Sequence, residues 1–194
     1  MGQRITYYQS KSGKTLPELL AENYPAFRQW ILKEQADSLK KYKENLISDE
    51  LKFFLQKHPV LPEIDLLSQK IADELSFEFL LSYCDYGAGR DIFELTGPMM
   101  STWRYQTAFE IIEKKGDAEL HSLWNYLKTG RSVQNGEAFM GNGGEVIGFW
   151  TKPEMEILQE KLKKLPLLPG IEFVLSVLEE LKNNANELVF NVER

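Results

Sequence analysis

The chain has 194 residues, of which 43% are hydrophobic and 27% charged, a composition that can bury a sufficient core without disulfide or metal staples and predicts one domain spanning 1–194. Asp and Glu total 29 against 23 Lys and Arg, a net charge of −6. The average surface therefore repels nucleic-acid phosphates and anionic lipid headgroups, and neither nucleic acid nor membrane is expected as a partner.

Met1–Gln9 lacks the apolar core of a signal peptide, and no apolar run approaches the roughly 20 residues of a membrane span. The motif for myristoylation is weak here, because Thr6 sits in an apolar-polar alternation that needs no lipid. A lone cysteine, Cys84 in F-L-L-S-Y-C, has no disulfide partner and reads as a small packed residue. Together these features predict a cytoplasmic protein.

In chain order, R-I-T-Y-Y-Q (Arg4–Gln9) reads as a strand ending at the loop S-K-S-G-K. Thr15 and Pro17 open a helix, and Pro25 opens a second, longer one with an apolar stripe of Phe27, Trp30, Ile31, Leu39, Tyr42 and Leu46. Ser48 followed by Asp49 and Glu50 caps a helix that Pro59 ends; Pro62 starts another, carrying Ile64, Leu67, Ile71 and Leu75. Leu75, Phe77, Phe79, Leu81 and Tyr83 alternate as in a strand, but Leu80 and the shortage of β-branched residues favour continued helix.

After the loop D-Y-G-A-G-R-D, Pro98 opens a helix closed by Lys114, Lys115 and Gly116. Asp117 caps the next, whose stripe of Leu120, Leu123, Trp124 and Leu127 ends at Thr129-Gly130. E-V-I-G-F-W reads as a strand, Thr151 and Pro153 open a helix, and P-L-L-P-G redirects the chain into the stripe Ile171, Val174, Leu175, Leu178 and Leu181. N-N-A-N releases it into the final strand E-L-V-F-N-V-E. The fold class is α+β: a helix-rich domain covering a small sheet made from the N-terminal strand, residues 145–150 and the C-terminal strand.

The stretch Gln134–Trp150 holds the chain's densest glycines. A phosphate loop needs a helix to begin directly after it, whereas Gly141, Gly143 and Gly144 lead into Glu145 and a β-prone run. Asn135-Gly136 and Asn142-Gly143 are turn dipeptides, so a turn is expected, with Phe139, Met140 and Asn142 as residues that would meet a partner if the loop is exposed.

A second constellation, C-D-Y-G-A-G-R-D, places Asp85, Tyr86, Arg90 and Asp91 around two glycines. With Trp103 and Arg104 nearby in sequence, these are the ligand-binding candidates; the alternative is that Arg90 merely clamps the loop. His58 at a helix end and His121 on an amphipathic helix read as structural residues. Two distant histidines and one cysteine give no metal-ligand spacing, so neither metal nor cofactor is expected. Glu154 with Glu156, Glu179 with Glu180, and the lysines at 40, 41, 43, 161, 163 and 164 read as solvated helix faces.

The chain resembles the YfbM-like family of small bacterial cytosolic proteins in M-G-x-x-x-x-Y-Y followed by T-L-P-E-L-L, in W-N-Y-L-K-T-G (Trp124–Gly130), in W-T-K-P-E-M-E-I-L and in the last helix running into L-V-F-N-V. Residues 23–109 lie outside the likeness, and Asn125 stands where the family tends to have histidine. The resemblance implies a compact α+β domain and supplies no reaction.

The first functional expectation is a non-enzymatic binding protein of bacterial type that recognises a basic protein, for example as an immunity-type neutraliser of a toxin domain. The second is an enzyme or small-ligand binder using Asp85, Arg90 and Asp91 beside Trp103. A homo-oligomeric structural protein with an apolar face on the long helix is the third, and the sequence leaves the oligomeric state open.

Overall fold

A computed structural model describes residues 4–97, 99–134, 137–181 and 185–193. The turn expected at Asn135-Gly136, Pro98 itself and Asn183-Asn184 of the N-N-A-N release lie outside them; the helix expected to open at Pro98 begins at Thr102.

The strands are β1 (Arg4–Ser10), β2 (Phe93–Leu95), β3 (Met100–Ser101), β4 (Val146–Thr151) and β5 (Glu187–Glu193). They form one antiparallel sheet in the order β2-β1-β5-β4, with β3 pairing to the other end of β1. Both ends of the described chain therefore lie side by side at its centre, Arg4 opposite Glu193 and Tyr7 opposite Phe190. The small sheet expected from the N-terminal, 145–150 and C-terminal strands is present, and the two short strands β2 and β3 extend it.

Alternation along the central strands separates two cores. Ile5 and Tyr7, Val146 and Trp150, and Leu188, Phe190 and Val192 pack with α4 (Thr102–Lys115), α5 (Ala118–Thr129), α6 (Lys152–Leu162) and α7 (Pro169–Glu180). Tyr8, Ile147 and Val189 face the opposite way, against α1 (Leu16–Lys41), α2 (Asp49–Lys57), α3 (Gln69–Phe77) and a π-helix (Glu78–Tyr86). The sheet is thus the middle of three layers, and each helical layer comes from one continuous half of the chain. Burial of both sheet faces explains why β5 reads as a nearly unbroken apolar run.

Local signals place most helix ends. The Ser48 hydroxyl accepts the Leu51 N–H at 3.0 Å and Asp117 accepts that of Leu120 at 2.9 Å. Glu18 and Glu154 accept the backbone N–H groups of Thr15 and Thr151, at 2.7 and 2.9 Å, at the starts of α1 and α6. At the other end of α5, Gly130 has φ +71°, a value a side chain would strain. Gly170 starts α7 so close to α4 that an added Cβ would lie 2.2 Å from the Arg104 carbonyl oxygen.

Three expectations are corrected. Pro25 does not begin a helix but lies inside α1. It and Ala21, whose carbonyl it deprives of a donor, are both exposed, so water can satisfy the freed carbonyl. The stripe does not extend to Tyr42 and Leu46, which are exposed; the inward positions at the end of α1 are Gln35 and Ser38. Gln35 accepts the Leu46 and Ile47 N–H groups, at 2.7 and 3.2 Å, and so holds the following loop by polar bonds. Finally, Pro62 precedes only a 3-10 turn (Ile64–Leu66), and α3 starts after Ser68, whose hydroxyl accepts the Ile71 N–H at 3.4 Å.

Residues 76–83 are helical, as expected, but from Glu78 the helix widens to π geometry. Leu75 to Leu81 are all buried, so the period-two alternation reports no exposed face.

Candidate functional site

The glycine-rich stretch is a turn. Gly144 N–H donates to the Gly141 carbonyl at 3.0 Å and Gly141 N–H to that of Glu145 at 2.8 Å, while Met140 bridges Val146. With Gly144 at φ +84°, the four-residue turn 141–144 ends on a left-handed glycine, a common closure of a hairpin. β4 follows at once, so no helix N-terminus faces the loop. Phe139 folds back, half-buried, onto Phe77 with ring centroids 5.2 Å apart. Met140 is 52% exposed and Asn142 is exposed.

This hairpin forms one wall of a cleft of about 520 Å³. α1 contributes Trp30, Ile31 and Glu34; α3 and the π-helix contribute Phe77, Glu78, Leu81, Ser82 and Tyr86. The hairpin supplies Asn142, Gly143 and Glu145, and β5 supplies Asn191 and Glu193 from below. A π-helix widens the backbone where it lines a site, an association seen at many functional centres.

The glycines of D-Y-G-A-G-R-D serve this wall. A Cβ on Gly87 would lie 2.7 Å from the Trp30 ring, and one on Gly89 would lie 2.6 Å from the Tyr83 ring. Their absent side chains let both rings close in, and Trp30 meets Tyr83 edge-on at 5.6 Å.

The polar lining is rich in acceptors. Four carboxylates, Glu34, Glu78, Glu145 and Glu193, face the cleft, and no Lys or Arg is among its lining residues. Glu193 is engaged by Arg4, whose Nε donates at 2.6 Å. Among the described residues the other three have no ion-pair partner. Glu78, 7% exposed, accepts the Ser82 hydroxyl at 2.5 Å. Burial, with the charge of Glu74 adding to it, pushes its carboxyl up to about 7 even though the Ser82 bond acts the other way. Asn191 is 5% exposed, and among the described residues its Oδ1 has no hydrogen-bond partner. A buried acceptor of this kind costs about 1–3 kcal/mol unless something supplies a donor.

The residues anticipated from sequence are dispersed. Asp85 and Arg90 line a separate hollow of about 170 Å³ with Tyr8, Leu80, Cys84, Phe93 and Leu95. There the Tyr8 hydroxyl donates to Asp85 at 3.3 Å, and Arg90 donates to the Tyr86 carbonyl at 3.0 Å. Asp91 stands in solvent 3.6 Å from Lys11. Burial raises the Cys84 thiol to about 12, so it stays protonated at neutral pH.

Trp103, 65% exposed, and Arg104, stacked over Phe173 at 4.3 Å, belong to the other helical layer and line neither cavity. Of the six ligand candidates only Tyr86 reaches the large cleft; of the three loop candidates, Asn142 does. His58 stacks on Phe54 at 4.6 Å, and a ring nitrogen of His121 lies 2.6 Å from the Ile112 carbonyl.

Sequence reasoning missed Glu34, Glu78, Ser82, Glu145 and Asn191. Two carried a signal: Glu78 interrupts the apolar run F-E-F-L-L, and Asn191 interrupts L-V-F-N-V in a strand buried on both faces. A polar group in such a run must find a partner or await one.

Among the described residues no group of three or more His, Cys, Asp or Glu is placed to hold a metal ion, and no helix is long and apolar enough to cross a membrane. Comparison with protein-family models, with curated proteins and with solved structures returns no match for the chain.

Proposed function

We propose that this protein binds a basic partner protein by receiving one of its lysyl or arginyl side chains in the acidic cleft. It would act by occupying the partner rather than by chemistry upon it. The observation that carries the reading is Asn191 Oδ1, an unsatisfied acceptor beneath a cleft lined by four carboxylates. Such a lining favours a cationic donor and repels anions. Ile31, Leu46 and Leu81 supply apolar wall for an aliphatic stem, and Trp30 supplies an aromatic ring for the charged end. The volume falls within the range of ordinary ligand sites. In this reading the protein is cytoplasmic and bacterial, and neutralisation of a basic toxin-like domain is the role that fits. The YfbM-like resemblance belongs to the same proposal and assigns no ligand.

The test is titration with N-acetylated, C-amidated hexalysine, n-butylammonium, hexaglutamate and n-butanol, followed by calorimetry and by the combined fluorescence of the four tryptophans. Saturable binding of hexalysine, weakened at least tenfold in Asn191→Leu and absent for hexaglutamate, supports the reading. Binding of n-butylammonium as tight as that of hexalysine would instead assign the cleft to a free amine, and binding of neither cation would remove the proposal.

One observation favours a second reading, an enzyme: the Ser82 hydroxyl lies 2.5 Å from Glu78, a carboxyl poised near neutral pH, as in a nucleophile with its base. Covalent labelling of Ser82 by a fluorophosphonate, lost in Glu78→Gln, would favour it. The hollow at Asp85 and Arg90 has less to support it, being about 170 Å³ with Asp91 outside.

A further inference from the structure

Glu78 lacks what a buried carboxylate requires. It lines both the large cleft and an adjoining hollow. The titratable groups that line these two hollows with it are Glu34 on α1, Tyr86 on the π-helix, Glu74 and Lys70 on α3, Asp49 on α2, Glu145 on the hairpin and Glu193 on β5. Only Lys70 is cationic, and it is exposed and paired with Glu50. Glu74 is already used: it accepts the Ser48 N–H at 2.8 Å and the Ser48 hydroxyl at 2.7 Å. Among the described residues Glu78 has only the Ser82 hydroxyl. An ionised Glu78 is therefore a buried anion among anions, stable only when a cation enters or a proton stays.

Resting on the reading above, we propose that Glu78 is the residue that pairs with the incoming cation, and that binding exchanges its proton for the ligand's positive charge. One O–H bond is given up on the Glu78 carboxyl, the proton leaves to solvent, and the ammonium or guanidinium takes its place opposite Oε1 and Oε2. The cleft then gains one unit of positive charge from the ligand and loses one to solvent, so its net charge is unchanged where Glu78 starts protonated. The association is selective for pH as well as for charge.

Below neutral pH the cation must displace a proton, so affinity rises up to tenfold per pH unit; above the titration of Glu78 the carboxylate is already free and affinity levels off.

Calorimetric titration of the full chain with capped hexalysine, in PIPES and in ACES at each pH, two buffers that take up protons near neutrality with different enthalpies, counts the protons released. With Glu78 titrating at about 7, release of nearly one proton at pH 6, about half at pH 7 and about a tenth at pH 8 is expected. Glu78→Gln should bind at pH 6 with no proton release and little pH dependence. Glu34→Gln should weaken binding at every pH while still releasing the proton. Hexalysine binding without proton release in the unaltered protein, or unchanged pH dependence in Glu78→Gln, overturns this exchange and leaves the cleft a cation site. Absence of binding for both hexalysine and n-butylammonium at all three pH values overturns the exchange and the proposed function together. The buffer comparison uses only the unaltered chain, so it decides the matter even where Glu78→Gln fails to fold.

Discussion

The backbone N–H of Leu16, at the start of α1, donates to Glu187 Oε1, at the start of the last strand, over 2.7 Å inside the protein. This bond ties the first helix to the strand that ends the described chain. It also leaves an acid buried, and desolvation pushes the Glu187 carboxyl up to about 7 despite the donor and the nearby charge of Arg131.

Glu187 and Glu78 together predict how stability varies with pH. Both titrate at about 7 when folded, above the ordinary carboxylate value of about 4.3 when unfolded. Between these values the folded state holds more protons, so stability falls as pH rises from about 4.5 through 7 and flattens beyond. Urea unfolding at pH 5, 6, 7 and 8 should show this decline, on the order of 1 kcal/mol or more for each group. Glu187→Gln, whose amide oxygen still accepts from Leu16, should flatten part of the slope and raise stability at pH 8.

Asn191→Leu replaces an unsatisfied acceptor by an apolar group of similar size on a strand flanked by Val189. The variant should gain roughly 1 kcal/mol in urea unfolding while losing hexalysine binding. A variant that loses both stability and binding would mean that the amide holds the strand rather than serving a ligand.

Gly170→Ala should destabilise by about 1–3 kcal/mol, because its Cβ would meet the α4 backbone, which cannot swing aside as a side chain can. Thermal unfolding measures it. Gly144→Ala, where φ is +84°, should cost about 1 kcal/mol through backbone strain and should also weaken hexalysine binding, since the hairpin carries Asn142 and Glu145 into the cleft.

Much of the secondary structure was legible for a local reason. The cap at Ser48, the cap at Asp117, the stop at Gly130 and the stripe from Leu120 to Leu127 each depend on residues within one or two turns. Pro25 misled because the cost of a proline inside a helix depends on whether its freed carbonyl meets water, which the neighbours in space decide. The short strands β2 and β3 carry too few residues for a pattern; they are strands because β1 lies alongside.

By itself, then, the chain's order of residues determined a helix-rich α+β protein whose two ends join one sheet, because caps, turns and alternation act over a few residues and need no partner. Only the tertiary structure decided that the sheet lies between two helical layers, and that Trp30, Glu78, Asn142 and Asn191, which come from four separate segments, share one cleft. Those placements depend on which faces bury against each other, and the same packing that removes water from Glu78 and Asn191 creates the unmet charge and hydrogen bond that mark the site.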